Sequence, residues 1–144
     1  MLNLSAVSHM QLDLFDTDTE DDTELWRPIP GYHSSYEISS YGRVRSLDRR
    51  INVVRNGQRF SYDRPGQLLK PSMHSGGAVI VTLHSDGRYK TKTLRRLVAL
   101  AFVPCNRNPD QMIVCHRDRD PWNCHRDNLF WRAESFDRRE NDIR

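Results

Sequence analysis

The stretch "VCHRDRDPWNCHRDNLFW", residues 114–131, decides how the C-terminal part of the chain is expected to fold. It begins in the apolar run "MIVCH" and ends in "NLFWR", and each run has the length and composition of a short strand. The residues between them are polar, and the stretch contains two Cys-His pairs, Cys115-His116 at the end of the first run and Cys124-His125 in the loop. We therefore predict a strand, a long polar loop and a second strand.

The segments on either side of this stretch favour helices. In "LRRLVALAFV" (94–103), apolar residues recur at helical spacing, and Pro104 would end the helix. The final segment, "ESFDRRENDIR" (134–144), is polar and has an acidic residue in its first turn, so it is predicted to form a terminal helix. The C-terminal part is thus predicted to contain, in order, a helix, a strand, a loop, a strand and a helix.

The region before residue 94 favours short antiparallel strands. "GGAVIVTLH" and "RYKTKTL" flank Ser85-Asp86-Gly87, and Asp-Gly between β-rich runs is a strong hairpin signal. "YEISSYGRVRSL" (36–47) is consistent with two short strands or a strand and a turn, and "RRINVVRNGQRFSYDRP" (49–65) with a hairpin or an exposed basic loop. The predicted fold class is α+β with small antiparallel sheets.

Charge is distributed unevenly along the chain. Residues 1–26 contain seven of the 19 acids and no base, so residues 27–144 hold 12 acids and all 22 bases, a net charge of +10. A basic body of this size favours a polyanionic partner such as nucleic acid, although a basic solvated surface is the alternative. The acidic residues 1–23 are predicted to be a disordered tail.

Three cysteines, and no recognisable export signal or apolar run of membrane-spanning length, favour reduced thiols in a cytoplasm. Structural zinc usually needs closely paired ligands such as C-x2-C, whereas Cys105, Cys115 and Cys124 are about ten residues apart. A zinc-stabilised binding module therefore remains only a third hypothesis.

The helix, "VCH" at a strand end, Asn123 and "DNLFW" together resemble the HNH nucleases, the ββα-metal fold of phage and intron homing endonucleases. Independently, "ELWRPIPGYHSSYEISSYGRVRSL" (24–47) resembles a DNA-binding module that commonly precedes such nuclease domains. The resemblance implies a tail (1–23), a β-rich DNA-binding module (24–92) and an HNH domain (93–144).

The resemblance also implies roles for individual residues. His116 matches the general base, which removes a proton from the attacking water, and Asn128 matches the residue that braces the loop. Asp137 matches a metal-ligand position, and Asn141, one turn later, is a second candidate ligand. The implied cofactor is a divalent metal, most simply Mg²⁺, with Mn²⁺ and Zn²⁺ as alternatives.

The residue before the general base is a further candidate metal ligand, but here it is Cys115. A thiolate suits Zn²⁺ better than Mg²⁺, so Cys115 either binds the metal or serves only in packing. If it impairs the metal site, the protein would be a DNA-binding or clamp-binding adaptor rather than an enzyme. The first hypothesis remains a DNA endonuclease that makes a nick, since the sequence holds a single candidate site.

Two further groups of residues are candidate contacts. Six arginines are assigned to the DNA: Arg43 and Arg45, which should share one sheet face, with Arg49, Arg50, Arg55 and Arg95. In the acidic tail, Gln11, Leu12, Asp13, Leu14 and Phe15 form "QLDLF", which resembles the peptide that docks onto the bacterial replication sliding clamp. The expected partners are thus double-stranded DNA and a sliding clamp, in the cytoplasm of a bacterial host cell, with the chain encoded by a phage.

Overall fold

A computed structural model describes residues 23–134 of the 144-residue chain. This part of the chain forms ten short strands and one α-helix, so the predicted α+β class is confirmed in broad terms. The strands are β1 (Trp26–Pro28), β2 (Tyr36–Ser39), β3 (Val44–Ser46), β4 (Arg49–Arg55), β5 (Gln58–Arg64), β6 (Ser72–Met73), β7 (Val79–Ser85), β8 (Arg88–Thr93), β9 (Met112–His116) and β10 (Leu129–Ala133). The helix α1 (Leu94–Phe102) follows β8, and single 3-10 turns, Pro109–Gln111 and Arg126–Asn128, precede β9 and β10.

The strands pair in four small antiparallel sheets. Strands β1, β2 and β3 form the first, β4 and β5 the second, β6, β7 and β8 the third, and β9 and β10 the fourth. The predicted turn at Asp86-Gly87 joins β7 to β8, and both residues have the positive φ that this turn requires (52° and 74°). Of the two alternatives for residues 49–65, the structure has the hairpin.

The predicted helix and the strand–loop–strand unit are both present. Helix α1 ends at Phe102, and the N–H of Val103 still donates to the carbonyl of Ala99 before Pro104 stops the helical hydrogen bonding. Strand β9 pairs with β10 so that His116 lies opposite Leu129. The terminal helix predicted for residues 134–144 lies outside the described residues, apart from Glu134.

One hydrophobic cluster joins the first and third sheets to α1 and to the β9–β10 unit. Its buried members include Ile38 of β2, Leu83 of β7, Val98 of α1 and Leu129 of β10, all at most 2% exposed. The hairpin β4–β5 contributes nothing to this cluster, and nearly all of its residues are exposed. The body of the described chain therefore holds the β9–β10 loop rigidly, whereas the β4–β5 hairpin projects from it.

Within residues 23–134, no helix is both long and apolar enough to cross a membrane.

Candidate active site and DNA-binding surface

His116 lies where β9 ends and the polar loop begins. A turn follows at once, in which the backbone N–H of Arg119 donates to the carbonyl of His116 at 3.4 Å. The histidine opens onto a cleft of about 340 Å³. Six residues line this cleft: Arg95, Ile113, Val114, Cys115, His116 and Arg119. The predicted general base therefore faces an open, basic cleft that the α1 N-terminus and the β9 strand form together.

The imidazole of His116 is supported from behind by a buried thiol. Sγ of Cys124 lies 3.7 Å from Nε2 of His116, and the same sulfur donates to the carbonyl of Pro121 at 3.3 Å. Burial raises the pKa of the Cys124 thiol to about 11, so the thiol keeps its proton at neutral pH. Because that proton points to Pro121, the sulfur is left to accept from Nε2–H, which favours the tautomer with its lone pair on Nδ1.

The electrostatics around His116 favour its neutral form. Burial lowers the pKa of His116 below its usual 6.5, and the positive charge of Arg95 lowers it further. Asp118 and Asp120 act in the opposite direction but are weaker. A neutral imidazole at neutral pH can accept a proton, which is what a general base requires.

Asn128 holds the polar loop in the way that its predicted bracing role needs. Its Nδ2 donates to Oδ1 of Asp118 at 2.9 Å and to the carbonyl of Asn123 at 2.7 Å. Its Oδ1 accepts from the backbone N–H of Asp118 at 3.2 Å, and its own carbonyl accepts from the N–H of Arg117 at 2.7 Å. One amide side chain thus ties both halves of the loop to the start of β10.

Asp118 is the second centre of the same hydrogen-bond network. Its carboxylate accepts from the N–H of Asp120 at 2.9 Å and from Nδ2 of Asn123 at 2.7 Å, in addition to Asn128. These bonds, that from the Asp120 backbone first, lower the pKa of Asp118 below its usual range. The loop that follows His116 is therefore fixed by charged hydrogen bonds rather than by an apolar core.

The turn between β2 and β3 supports the loop from the other side. The carbonyl of Ser40 accepts from the N–H of Arg126 at 2.8 Å, and the ring of Tyr41 stacks on His125 with centroids 4.9 Å apart. Gly42, at φ 88°, packs so closely that a Cβ atom there would lie 2.8 Å from Cβ of Cys124. The N-terminal sheet thereby positions Cys124, which in turn contacts His116.

The described residues do not by themselves form a metal site. Cys115 lines the cleft beside His116, but no group of three or more His, Cys, Asp or Glu side chains within residues 23–134 could hold a metal. The other candidate ligands, Asp137 and Asn141, lie outside the described residues. The fit of the predicted divalent metal therefore depends on a ligand set of which only Cys115 is described.

Arg43 and Arg45 share one face of the first sheet, as predicted from their alternation with Val44. Their guanidinium groups lie 5.6 and 3.9 Å from the centroid of the Trp26 ring. Each is also paired with an acid, which the sequence did not indicate: Arg43 Nε donates to Glu24 at 2.8 Å and Arg45 Nε to Glu37 at 2.9 Å. The resulting basic and aromatic surface borders a groove of about 680 Å³.

The other arginines assigned to DNA divide between the hairpin and the cleft. Arg49, Arg50 and Arg55 lie on β4, in the projecting hairpin, where Arg50 makes a 3.4 Å contact with the exposed Asp63. Arg95 lies on α1 and lines the cleft with His116. The clamp-docking residues, Gln11 to Phe15, lie outside the described residues.

Three residues of the site were missed by reasoning from sequence: Cys124, Asp118 and Arg119. Asp118 could have been found, because Asp-x-Asp in a loop is typical of turns in which a carboxylate accepts from the backbone two residues on. No pattern in the sequence indicates that Cys124 is buried or that Arg119 adopts a positive φ.

Comparisons with known proteins agree with this architecture. Residues 24–84 match the NUMOD4 motif. Together with the two matches that follow, this confirms the class that the fold and the His116 loop indicate: the chain is similar to phage HNH homing endonucleases that carry a preceding DNA-binding module.

A particular relative is DNA endonuclease I-HmuI of Bacillus phage SP01, which is 28% identical over 106 residues. These cover 74% of this chain and 51% of the relative, so the chain spans about half the length of that protein. A solved structure described as DNA binding and cleavage by the HNH homing endonuclease I-HmuI matches with a TM-score of 0.58 at 27% identity. That match covers 83% of this chain and 57% of the other.

Proposed function

We propose that the protein is a divalent-metal-dependent DNA endonuclease that nicks double-stranded DNA with His116 as the general base. The observation that carries the proposal is the arrangement of this imidazole: it opens onto a basic cleft and is held from behind by Cys124. The similarity to an HNH homing endonuclease of a phage supports the same function.

The proposed reaction is hydrolysis of a phosphodiester. An unprotonated ring nitrogen of His116 removes a proton from a water molecule, and the resulting hydroxide attacks the phosphorus of the backbone. The bond from phosphorus to the 3′ oxygen breaks, the departing oxygen takes a proton from solvent water, and the products are a 3′ hydroxyl and a 5′ phosphate. Asn128 and Asp118 hold the loop so that the imidazole keeps its position through the reaction.

A divalent metal, when bound, supplies positive charge that stabilises the leaving oxygen. Asp137 and Asn141 are the proposed oxygen ligands, and Mg²⁺ is the proposed metal because it prefers oxygen. Cys115 is a candidate ligand with a soft sulfur atom, and its participation would favour Zn²⁺. Mn²⁺ is the other alternative metal.

The DNA-binding residues are proposed to form two surfaces. The first is the sheet face with Arg43 and Arg45, where Trp26 adds an aromatic ring. The second is the β4–β5 hairpin with Arg49, Arg50 and Arg55, where Arg50 and Arg55 are exposed and Arg49 is partly exposed, so that phosphates can reach them. Residues 24–92 would thus bind the duplex while residues 93–144 cut it, in the cytoplasm of a bacterial host cell.

The test is cleavage of a supercoiled plasmid by the purified protein with Mg²⁺, Mn²⁺ or Zn²⁺, beside the His116→Ala variant and an EDTA control. Open circles that form with the wild type only, and only with a metal, support the proposal. No cleavage with any of these metals, while DNA binding persists, would favour the second candidate, a catalytically impaired DNA-binding adaptor in which Cys115 has replaced a metal-binding oxygen.

The sequence "QLDLF" supports a second partner, the bacterial sliding clamp, to which residues 11–15 would dock as an extended peptide. Docking would raise the local concentration of the nuclease at replicating DNA without adding sequence specificity. Deleting residues 11–15 should abolish binding to a purified clamp and leave plasmid cleavage unchanged. Equal clamp binding by the deletion variant would refute this role.

A further inference from the structure

Two arginines at the cleft differ from the neighbouring arginines in having no partner of their own. Among residues 23–134, the guanidinium groups of Arg95 and Arg119 make no hydrogen bond or ion pair. Arg96, next in sequence, is by contrast fully engaged: it donates to the carbonyls of Met112 and Pro109 at 3.1 and 2.9 Å and lies over the Trp131 ring. Two uncommitted positive charges therefore line the one described cleft that contains His116.

The backbone of Arg119 is unusual for an arginine. Its φ of 62° is in the left-handed region, which favours glycine and tolerates asparagine, but disfavours other side chains. The turn that begins at His116 requires this conformation, since it brings the Arg119 N–H back to the His116 carbonyl at 3.4 Å. An arginine here makes the turn less favourable than a glycine would, and adds a charge beside the proposed general base.

The two acids that flank Arg119 in sequence form no ion pair with it within residues 23–134. Asp118 is occupied by the N–H of Asp120 and by the side-chain amides of Asn123 and Asn128. Asp120 accepts from the N–H of Trp122 at 3.0 Å. Both acids keep their negative charge, but neither lines the cleft, where Arg95 and Arg119 are the only Arg, Lys, Asp or Glu side chains.

We propose that Arg119, together with Arg95, binds a phosphate of the DNA backbone in the cleft beside His116. The planar guanidinium group suits two oxygens of one phosphate, and Ile113 and Val114 form the apolar side of the same cleft. The positive charge of Arg95, which lowers the pKa of His116, acts in the same cleft. This inference rests on the proposed function, because it names the substrate group that the cleft holds.

The experiment compares Arg119→Asn with Arg119→Lys and with Arg107→Asn. Asparagine tolerates a positive φ, so Arg119→Asn removes the charge but keeps the turn. Arg107 is an exposed arginine in the segment between α1 and β9, outside the residues that line the cleft, and serves as the charge-matched control. Three properties are measured: the melting temperature, binding of a short DNA duplex in EDTA over a range of salt concentrations, and the single-turnover rate of plasmid nicking.

For Arg119→Asn we expect an unchanged or higher melting temperature, and a slope of log affinity against log salt that is smaller by about one. The nicking rate at saturating DNA should fall by on the order of 100-fold. Arg119→Lys should keep part of the salt slope and part of the nicking rate. Lysine retains the positive charge but cannot donate two parallel hydrogen bonds to one phosphate. Arg107→Asn should change the slope less than Arg119→Asn does and should nick at the wild-type rate.

The possible failures are distinguishable. If the wild type nicks DNA and Arg119→Asn has the wild-type salt slope and nicking rate, the phosphate site is wrong and the proposed function stands. The same conclusion follows if Arg107→Asn lowers the salt slope and the nicking rate as much as Arg119→Asn does. If no metal supports nicking by the wild type but Arg119→Asn still loses salt slope, the proposed function is wrong and the phosphate site stands. If the wild type does not bind DNA, both are wrong.

Discussion

The sulfur of Cys124 lies 3.7 Å from Nε2 of His116 and connects the proposed general base to the interior of the protein. Cys124 is itself 2% exposed and belongs to the hydrophobic cluster that joins three of the four sheets to the helix. The position of His116 therefore depends on the packing of the whole described body and not only on its own loop.

Replacing Cys124 by alanine should impair both stability and cleavage. The variant loses a buried sulfur and its bond to Pro121, which should cost roughly 1–2 kcal/mol of unfolding free energy. It also frees the imidazole from its contact at Nε2, so the nicking rate should fall while DNA affinity in EDTA is retained. Urea denaturation and single-turnover nicking measure the two effects.

Cys105→Ala is the matched control, because the Cys105 thiol also donates to a carbonyl at 3.3 Å, that of Arg107, but lines a different cavity from His116. It should nick at the wild-type rate. If Cys124→Ala also nicked at that rate, the thiol would have no positioning role.

The nicking rate should depend on pH through His116. A general base acts in its unprotonated form, so the rate falls as the pH drops through the pKa of the base. Burial first, and then Arg95, lower the pKa of His116 below 6.5, so the acid limb should have its midpoint below pH 6.5. Removing the positive charge in Arg95→Gln should raise the pKa and move the midpoint to higher pH.

The pH profile is measured under single-turnover conditions at subsaturating DNA, where the rate reports the pKa of the DNA-free protein, with Arg107→Gln as the control that keeps the wild-type midpoint. A wild-type midpoint clearly above pH 6.5, or a shift to lower pH in Arg95→Gln, would contradict the electrostatic account of this site.

Gly42→Ala should perturb the active site from a distant point in the sequence. A Cβ at this position would lie 2.8 Å from Cβ of Cys124, on a backbone with φ 88°. Gly57→Ala, at φ 75° with nothing within 4 Å of the added atom, shares the conformational strain but not the clash. We expect Gly42→Ala to lose roughly 1–3 kcal/mol more unfolding free energy than Gly57→Ala, and to nick more slowly. Equal losses in the two variants would show that the contact with Cys124 is relaxed at little cost.

The arginines of the β4–β5 hairpin should contribute to DNA affinity without reading the sequence. If Arg50 and Arg55 contact phosphates, each alanine variant should lower the salt slope of DNA binding by about one and weaken binding equally for unrelated duplexes. Fluorescence anisotropy over a salt series measures this, with Arg107→Ala as the control. An unchanged slope in both variants would remove the hairpin from the proposed DNA surface.

Much of the fold could be predicted because its signals are local. The Asp86-Gly87 turn, the helical spacing from Leu94 to Phe102 and the apolar runs of β9 and β10 each depend on neighbouring residues alone. The pairing of β9 with β10, which puts His116 opposite Leu129, follows once those runs are recognised.

The site was less predictable because its decisive contacts join distant parts of the chain. Gly42 packs against Cys124, and no pattern near either residue indicates the other. The ion pairs of Arg43 with Glu24 and of Arg45 with Glu37 were also missed, since antiparallel strands bring these charges together only after folding. The family resemblance implied roles for His116 and Asn128, but the hydrogen bonds that hold them required the structure.

The central claim, that His116 is the general base, is tested most directly by chemical rescue. His116→Ala should be at least 100-fold slower than the wild type in single-turnover nicking, and should bind the same duplex in EDTA with unchanged affinity. Imidazole added to the buffer should restore part of the lost rate, in proportion to its unprotonated fraction. Nicking by His116→Ala at the wild-type rate, without imidazole, would contradict the claim.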